Sequence, residues 1–367
     1  MTLRVIIYRL GVIPLLLLLC ILAACSQQDL DQEEQGMVSL KVLASPGTKA
    51  GEGGTATATL PAKETAIFDL SIFIFNSNGD VIGFTSQDFS DGKPTAVVVK
   101  TRKATGCSVY AIANAKTLNK NGTSPFDGVS TLSVFKTKYL SFADAKAPND
   151  DQCLLMMGVS SNFDTSSASS ATITLKRLAS RIDYTITVNN EETTGFPIVI
   201  DSYQLCNVPN ATFYTHDDMA NPKLPDANIY QNFSEQKTLV NSWDPNPTVS
   251  YEQYVYANPA KDETHATYLL IKAHAQASSS NTAKIWESVF KVYLKEVKQG
   301  GTPMTTQYQI LPNYHYTVNI TIKGSKVTAD NGVECTAYPF FSSSNPDKNL
   351  DDWIDGQEKI DFDYEEK

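Results

Sequence analysis

The sequence lacks every short motif that would assemble a catalytic site. No H-E-x-x-H, G-x-S-x-G, phosphate-binding or dinucleotide-binding pattern occurs among its 367 residues. The four histidines show no metal-ligand spacing; they are His216, His265, His274 and His315. Acidic pairs such as Asp150-Asp151 stand in polar stretches, where solvated carboxylates are the usual state. The sequence therefore predicts a protein that is not an enzyme and that holds no cofactor and no metal.

Cysteine pairs and basic clusters are also missing. Apart from Cys20 and Cys25 near the N-terminus, the cysteines are Cys107, Cys153, Cys206 and Cys335, and none belongs to a C-x-x-C motif. A zinc or redox site is therefore not predicted, while buried thiols and one or two disulfides both remain open. The formal net charge is −10, and no run of lysines and arginines offsets it. So acidic a chain repels phosphate backbones, which argues against nucleic-acid binding.

The apolar run near the N-terminus is too short for a typical membrane span. Val12–Leu22 falls well below the roughly 20 residues that a span needs. It follows Arg4 and Arg9 and ends in Leu22-Ala23-Ala24-Cys25, which is typical of a bacterial lipoprotein signal peptide at residues 1–24. We expect cleavage before Cys25 and acylation of that residue, because two or more acyl chains anchor a protein stably. An uncleaved membrane helix with an incidental cysteine is the alternative.

The segment after Cys25 is polar and acidic. Residues 25–36 cannot bury enough apolar surface to fold, so we expect them to form a tether. Loss of residues 1–24 removes two positive charges, Arg4 and Arg9, and takes the formal net charge from −10 to −12. The rest of the chain is long enough for two domains.

Beyond the tether, apolar and polar residues alternate with period two. Ile182–Val188 and Tyr316–Ile322 each place apolar residues on one face, and Trp286–Leu294 forms a longer stripe. A single helix is predicted where apolar residues recur at near-helical spacing in Leu132–Phe142. Further strands are predicted at Val38–Leu43, Ile67–Phe75, Ala96–Lys100, Ser108–Ala113, Leu154–Val159, Ala171–Leu175, Ile198–Leu205, Tyr251–Tyr256 and Tyr268–Ala273.

Many short strands between polar turns predict an all-β protein made of β-sandwiches. A loop rich in serine and threonine, Thr165–Ser170, precedes one of these strands. We place the boundary between two domains just after that strand, near Leu178–Arg181.

The two ends of the chain carry similar strand patterns. Val38, Leu40 and Val42 put three apolar side chains on one face of the first strand. In the acidic C-terminal tail, the alternating apolar residues are Ile360, Phe362 and Tyr364. If the first strand were removed, an extended segment of another copy could fill the groove by strand addition. Such a head-to-tail contact does not close, so it builds a fibre. Alternatively, both segments pair only within their own domains.

The order of these features resembles the FimA/Mfa-type fimbrillins, the type V pilins of Bacteroides-like bacteria. The segments that carry the resemblance are the lipobox Leu22–Cys25, the strand Ala66–Phe75, Val109–Asn114, Leu155–Gly158, the interdomain signature Ile173–Ile182 and Asn313–Ile322. Each segment alone is ordinary strand chemistry, and their order along most of the chain makes the match specific.

The resemblance implies two transthyretin-like Greek-key β-sandwich domains in tandem, at residues 37–178 and 179–324, followed by a tail at residues 325–367. It implies a lipoprotein precursor of the outer membrane and cell surface, from which a trypsin-like protease removes the first strand. The matching bond here is Lys49–Ala50, where the best-known members have arginine. The opened groove would then accept a C-terminal strand of another fimbrial subunit, whereas the adhesion ligand stays unidentified.

Two other interpretations remain at this point. A relative that is not cut would keep its lipid and serve as a fimbrial anchor. A lipid-anchored glycan-binding protein of an outer-membrane uptake system would share the lipobox, the tether and the strands. A glycan-binding protein of this kind would be favoured by an exposed platform of tryptophans. The sequence does not suggest such a platform, since Trp243, Trp286 and Trp353 are scattered along the chain.

Overall fold

The computed structural model describes eleven stretches of the chain. They are residues 37–46, 61–143, 148–149, 152–168, 170–188, 197–237, 247–293, 308–322, 333–339, 349–351 and 358–363.

The described residues are mostly β-structure with a few short helices. The strands are β1 Met37–Pro46, β2 Asp69–Phe75, β3 Val81–Asp88, β4 Val97–Arg102, β5 Cys107–Ala113, β6 Tyr139–Ser141, β7 Met156–Phe163, β8 Ser170–Arg177, β9 Ala179–Val188, β10 Ile198–Cys206, β11 Val208–Pro209, β12 Ala211–Phe213, β13 Tyr230–Gln231, β14 Gln236–Lys237, β15 Thr248–Tyr256, β16 Tyr268–Gln276, β17 Lys284–Tyr293, β18 His315–Ile322, β19 Val333–Pro339, β20 Asn349–Asp351 and β21 Glu358–Asp363. The helices are a 3-10 turn at Ala62–Glu64, α1 at Ala115–Leu118 and α2 at Leu132–Lys136. The all-β prediction is confirmed.

The first seven large strands close into a barrel. Their order around it is β1-β4-β3-β2-β5-β7-β8. Every residue of β2 is buried, because the strand has apolar neighbours on both of its faces. Ile72 and Ile74 point into the barrel core, whereas Phe73 and Phe75 pack outward under a covering layer. That layer includes Phe126 and the helix residue Phe135.

Two five-stranded sheets follow. One has the order β14-β10-β16-β17-β19, and the other has the order β15-β9-β18-β21-β20. A shared core lies between them, with Tyr184 and Ile186 of β9 and Ile320 of β18 packed in one cluster with Ile271 of β16 and Phe290 of β17. This core is separate from the barrel core. Two small two-stranded sheets, β11-β13 and β12-β6, complete the described fold.

The prediction of one helix over Leu132–Phe142 is confirmed only for the first part of that stretch. The Thr131 hydroxyl accepts a hydrogen bond from the Val134 amide at 3.3 Å and starts α2, which ends at Lys136. Residues 139–141 instead form β6, which pairs with β12. The apolar spacing that suggested one helix therefore spans a helix and a strand that both cover the barrel.

Other boundaries differ for local reasons. β2 begins at Asp69 and not at Ile67, because the Ile67 amide donates to the Gly92 carbonyl and the Phe68 amide to the Asn114 side chain. β3 was not predicted, since its second half is polar and exposed and only its first half is apolar.

Candidate functional site

β1 joins two strands that have few other partners. Its first part, Met37–Val42, pairs antiparallel with β4, and its second part, Lys41–Pro46, pairs parallel with β8. Each of these neighbours pairs with its other partner over only one or two residues. β4 pairs with β3 only at Gly83 and Thr101, and β8 pairs with β7 only at its C-terminal end. β1 is therefore the strand that closes the barrel.

The two faces of β1 differ as the alternation predicts. Leu40 and Val42 are fully buried, Val38 is half-buried, and Ser39 and Lys41 are exposed. Leu40 lies opposite Val99 of β4, and Val42 lies opposite Ala171 of β8. The four residues of these two pairs belong to the barrel core: Leu40, Val99, Val42 and Ala171. Removal of β1 would therefore expose apolar side chains and unpaired backbone groups together.

Glycine occurs at the two seams of the barrel where neighbouring strands share few residue pairs, β3–β4 and β7–β8. A Cβ on Gly83 would lie 2.8 Å from the Thr101 Cβ, across the seam between β3 and β4. A Cβ on Gly158 would lie 2.5 Å from the Thr174 carbonyl oxygen, across the seam between β7 and β8. Only a residue without a side chain permits this approach. Gly158 ends the predicted motif Leu155–Gly158 without an assigned role. An isolated glycine within a strand pattern is the sequence signal for such a close backbone approach.

A group of polar side chains lies where the barrel meets the second pair of sheets. Glu64, 7% exposed, is the last residue of the 3-10 turn before β2. Its backbone oxygen accepts a hydrogen bond from Arg177 Nε at 2.8 Å. Its carboxylate accepts one from the Tyr254 hydroxyl at 3.1 Å and lies 3.4 Å from Arg181 Nη1. We call Glu64, Arg177, Arg181 and Tyr254 the junction clamp.

Both arginines stand in the predicted interdomain signature, but their partner Glu64 was not predicted. Buried arginines need a carboxylate, and nothing local in the sequence selects Glu64 from the other acidic residues. Arg177 and Arg181 also line a cavity of about 20 Å³, room for a single water molecule. Arg177 Nη2 is buried with no hydrogen-bond partner among the described residues.

Histidines take structural roles in the described part of the chain. His274 Nδ1 lies 2.9 Å from Asp201 Oδ1, and His315 Nε2 lies 2.7 Å from Asp183 Oδ2. Burial opposes ionisation of Asp183, but hydrogen bonds from His315 and Arg181 outweigh it and lower the pKa of that carboxyl. His216 is buried, and this burial lowers its pKa to about 4. Across the described residues, no group of three His, Cys, Asp or Glu side chains is placed to hold a metal ion.

The cysteine side chains that the structure describes are buried and form no disulfide with one another: Cys107, Cys153 and Cys206. Of the alternatives left open by their spacing, a disulfide between any two of these three is therefore ruled out. Burial raises the pKa of the Cys206 thiol to about 11, which makes it unreactive.

The C-terminal strand lies in the second of the five-stranded sheets. β21 pairs parallel with β18, with Ile360 opposite Val318 and Phe362 opposite Ile320. β20 covers the other edge of β21 by an antiparallel pairing. The terminal segments predicted from alternation are thus both strands, but they belong to different sheets and are not neighbours.

Several predicted site residues lie outside the described residues. These are the lipidation residue Cys25, the processing residues Lys49 and Ala50, and Tyr364 at the end of the tail. In the ranges that the structure describes, every helix is too short or too polar to cross a membrane.

Comparison with known proteins gives a family match over part of the chain and a fold. Residues 37–201 match the family model described as major fimbrial subunit protein (FimA). This stretch contains β1, the whole barrel and the arginines of the junction clamp. No curated protein matches the sequence.

Solved structures of similar fold come from three bacteria. A candidate cell adhesion protein of Parabacteroides distasonis has a TM-score of 0.59 and 18% identity, over 84% of this chain and 98% of that one. One from Bacteroides eggerthii has a TM-score of 0.53 and 17% identity, over 83% and 96% of the two chains. A fimbrilin of Porphyromonas gingivalis has a TM-score of 0.52 and 15% identity, over 84% and 98%. These likenesses show that the chain shares its fold with those proteins.

Proposed function

We propose that the chain, whose residues 37–201 match the FimA family model, is a structural fimbrillin of the FimA/Mfa type and a precursor subunit that polymerises by exchanging its first strand. In this proposal, proteolysis after Lys49 releases β1. The groove that opens between β4 and β8 then accepts a C-terminal strand of another fimbrial subunit, head to tail.

The pairing of β1 is the observation that carries the proposal. β4 and β8 depend on β1 for most of their backbone pairing, and they share an apolar core with Leu40 and Val42. Loss of β1 would leave both a sheet edge and an apolar groove, which together form a template for strand addition. A barrel without such a dependent strand would gain nothing from proteolysis of its first segment.

The tail is the proposed donor. Ile360, Phe362 and Tyr364 repeat the apolar spacing of Val38, Leu40 and Val42, so either set suits the same groove. β21 lies near the edge of its own sheet, with only the short strand β20 beyond it. Its release would therefore disturb fewer pairings than the release of a central strand.

Export and domain organisation belong to the same proposal. Residues 1–24 would be removed as a signal peptide, and acylated Cys25 would hold the precursor at the outer membrane through residues 25–36. Residues 37–178, which contain the barrel, and residues 179–324 would form the two domains, and residues 325–367 the tail. The change of sheet between Arg177 and Ala179 supports a boundary at Leu178.

The N-terminus of surface-extracted protein tests this function. We expect it to begin at Ala50 and to come from heat-stable ladders on gels. Lys49→Ala should leave a monomer that begins at acylated Cys25, whereas Lys103→Ala, which changes an exposed lysine of the β4–β5 loop, should polymerise normally.

Two results would change the proposal. Ladders from Lys49→Ala would mean that processing at this bond is not required. A wild-type protein that retains acylated Cys25 would identify an uncut anchor subunit and not a shaft subunit.

A further inference from the structure

One continuous stretch of chain runs from the groove to the sheet that holds the tail. β8 borders β1, and only Leu178 separates β8 from β9. β9 pairs parallel with β18, which in turn pairs parallel with β21. A force applied at the groove therefore reaches β18, which holds β21 in the single subunit, through β8, Leu178 and β9.

Leu178 is the joint of this path, because the chain changes from one sheet to another there. Its amide donates to the Leu155 carbonyl at 2.9 Å, and the Arg181 amide donates to the Tyr314 carbonyl at 3.0 Å. On the other side, the Asn313 amide donates to the Ala179 carbonyl at 3.1 Å. The backbone of the joint is thus bonded to both halves of the protein.

The junction clamp adds side chains from segments that are distant in sequence. Glu64 comes from the 3-10 turn before β2, Tyr254 from β15, and the two arginines from either side of Leu178. Arg177 Nη1 also reaches the Asn313 side chain at 3.3 Å, in the segment before β18. Removal of Glu64 would leave Arg177 buried without its carboxylate, which a buried cation tolerates poorly.

Glu64 is held in the clamp independently of β1. Its contacts are to Arg177, Arg181 and Tyr254, and none of them involves the first strand. Loss of β1 would therefore remove none of the side chains of the clamp.

We infer that the junction clamp fixes the two halves of the subunit in one orientation and that β8–β9 carries tension along the fibre. The fixed orientation rests on contacts within the single subunit, to which the pairing of β6 with β12 also contributes, while the transmission of tension rests on the proposed function. Glu64 acts here as a positioning residue, since it touches both arginines of the joint.

Distances between spin labels test the orientation in the full-length protein. Labels attached through an unnatural amino acid replace Val98 on β4 and Ile229 before β13, which are 58% and 63% exposed. We expect a narrow distance distribution in the parent protein and a broader one in Glu64→Gln. Asp88→Asn is the matched control, because it removes the carboxylate of an exposed ion pair with Lys116 and should leave the distribution narrow.

A milder variant covers the case in which Glu64→Gln does not fold. Tyr254→Phe removes only the hydroxyl that donates to Glu64, and it should broaden the distribution to a smaller degree. Distributions as narrow in both variants as in Asp88→Asn would overturn the clamp. This measurement needs no fibre, so it stands whether or not the protein polymerises.

Fibres test the transmission of tension. Fibres of Glu64→Gln subunits, stretched by atomic force microscopy, should extend at a lower force than fibres of Asp88→Asn subunits. Equal forces would show that tension does not pass through the joint. Failure of either protein to form fibres would count against the proposed function and leave the distance result intact.

Discussion

Gly158 and Thr174 bring the backbones of β7 and β8 into direct contact. A Cβ on Gly158 would lie 2.5 Å from the Thr174 carbonyl oxygen and equally close to the Ile173 side chain. This contact lies at one of the two seams where barrel strands share few residue pairs. It fixes the position of β8, the strand that borders the groove.

Gly158→Ala should therefore lower the free energy of unfolding by about 1–3 kcal/mol, the usual cost of overpacking a tight site. Thr174 contributes backbone, which cannot rotate away as a side chain can. Chemical denaturation measures the effect, with Val159→Ala at an exposed neighbouring position as the control. A midpoint equal to that of the control would mean that β8 shifts at little cost.

Leu40→Ala should destabilise the precursor by about 2–5 kcal/mol, because it leaves a cavity in the barrel core. Lys41→Ala, on the exposed face of β1, should change the free energy of unfolding by less than about 0.5 kcal/mol. After processing and loss of β1, the two variants and the parent have the same sequence and should unfold at the same midpoint. A difference that persists after processing would show that β1 stays bound.

Phe362→Asp should stop elongation, because a buried and unpaired carboxylate is costly in an apolar groove. Asp361→Ser changes the alternate face of the same strand and should polymerise as the parent does. Gel ladders and electron microscopy distinguish the two results. Normal fibres from Phe362→Asp would locate the donor strand elsewhere in the chain.

Stability should fall as the pH is lowered from about 6.5 to about 4, because His216 is buried in its neutral form. Burial lowers its pKa in the folded state, so the unfolded chain binds the proton first and unfolding becomes easier in acid. The loss from this residue is at most about 3 kcal/mol.

Denaturation midpoints across this pH range measure the effect. His216→Asn should flatten the dependence, and His265→Asn, at an exposed histidine, should leave it unchanged. An equally steep dependence in His216→Asn would assign it to other groups. The carboxyl of Asp183 has a lowered pKa, so its contribution is lost only below about pH 4.

Local periodicity explains how much of the fold could be predicted. Strands such as β9 and β18 bury one face, and their side chains alternate accordingly, so period two identifies them. The same pattern marks β1 and β21 but does not reveal their partners. The parallel pairing of β1 with β8 joins segments from opposite ends of the barrel sequence, and no local pattern specifies it.

The junction clamp shows a second limit. Arg177 and Arg181 stand in a recognisable signature, yet Glu64 is one of 40 acidic residues in the chain. Its role depends on the position of the 3-10 turn after folding and not on its neighbours in sequence. The glycines at the two barrel seams show a third limit. Gly158 is recognisable in the sequence as an isolated glycine, but only the structure shows that it approaches the Thr174 backbone.

Closure of the barrel by β1 also bears on when subunits can meet. A closed barrel presents no free sheet edge, and free edges are where chains aggregate. The intact precursor could therefore travel and accumulate at high local concentration without joining its neighbours through this barrel. The onset of assembly would then follow the rate at which β1 is lost, and it would depend little on how many precursors are present.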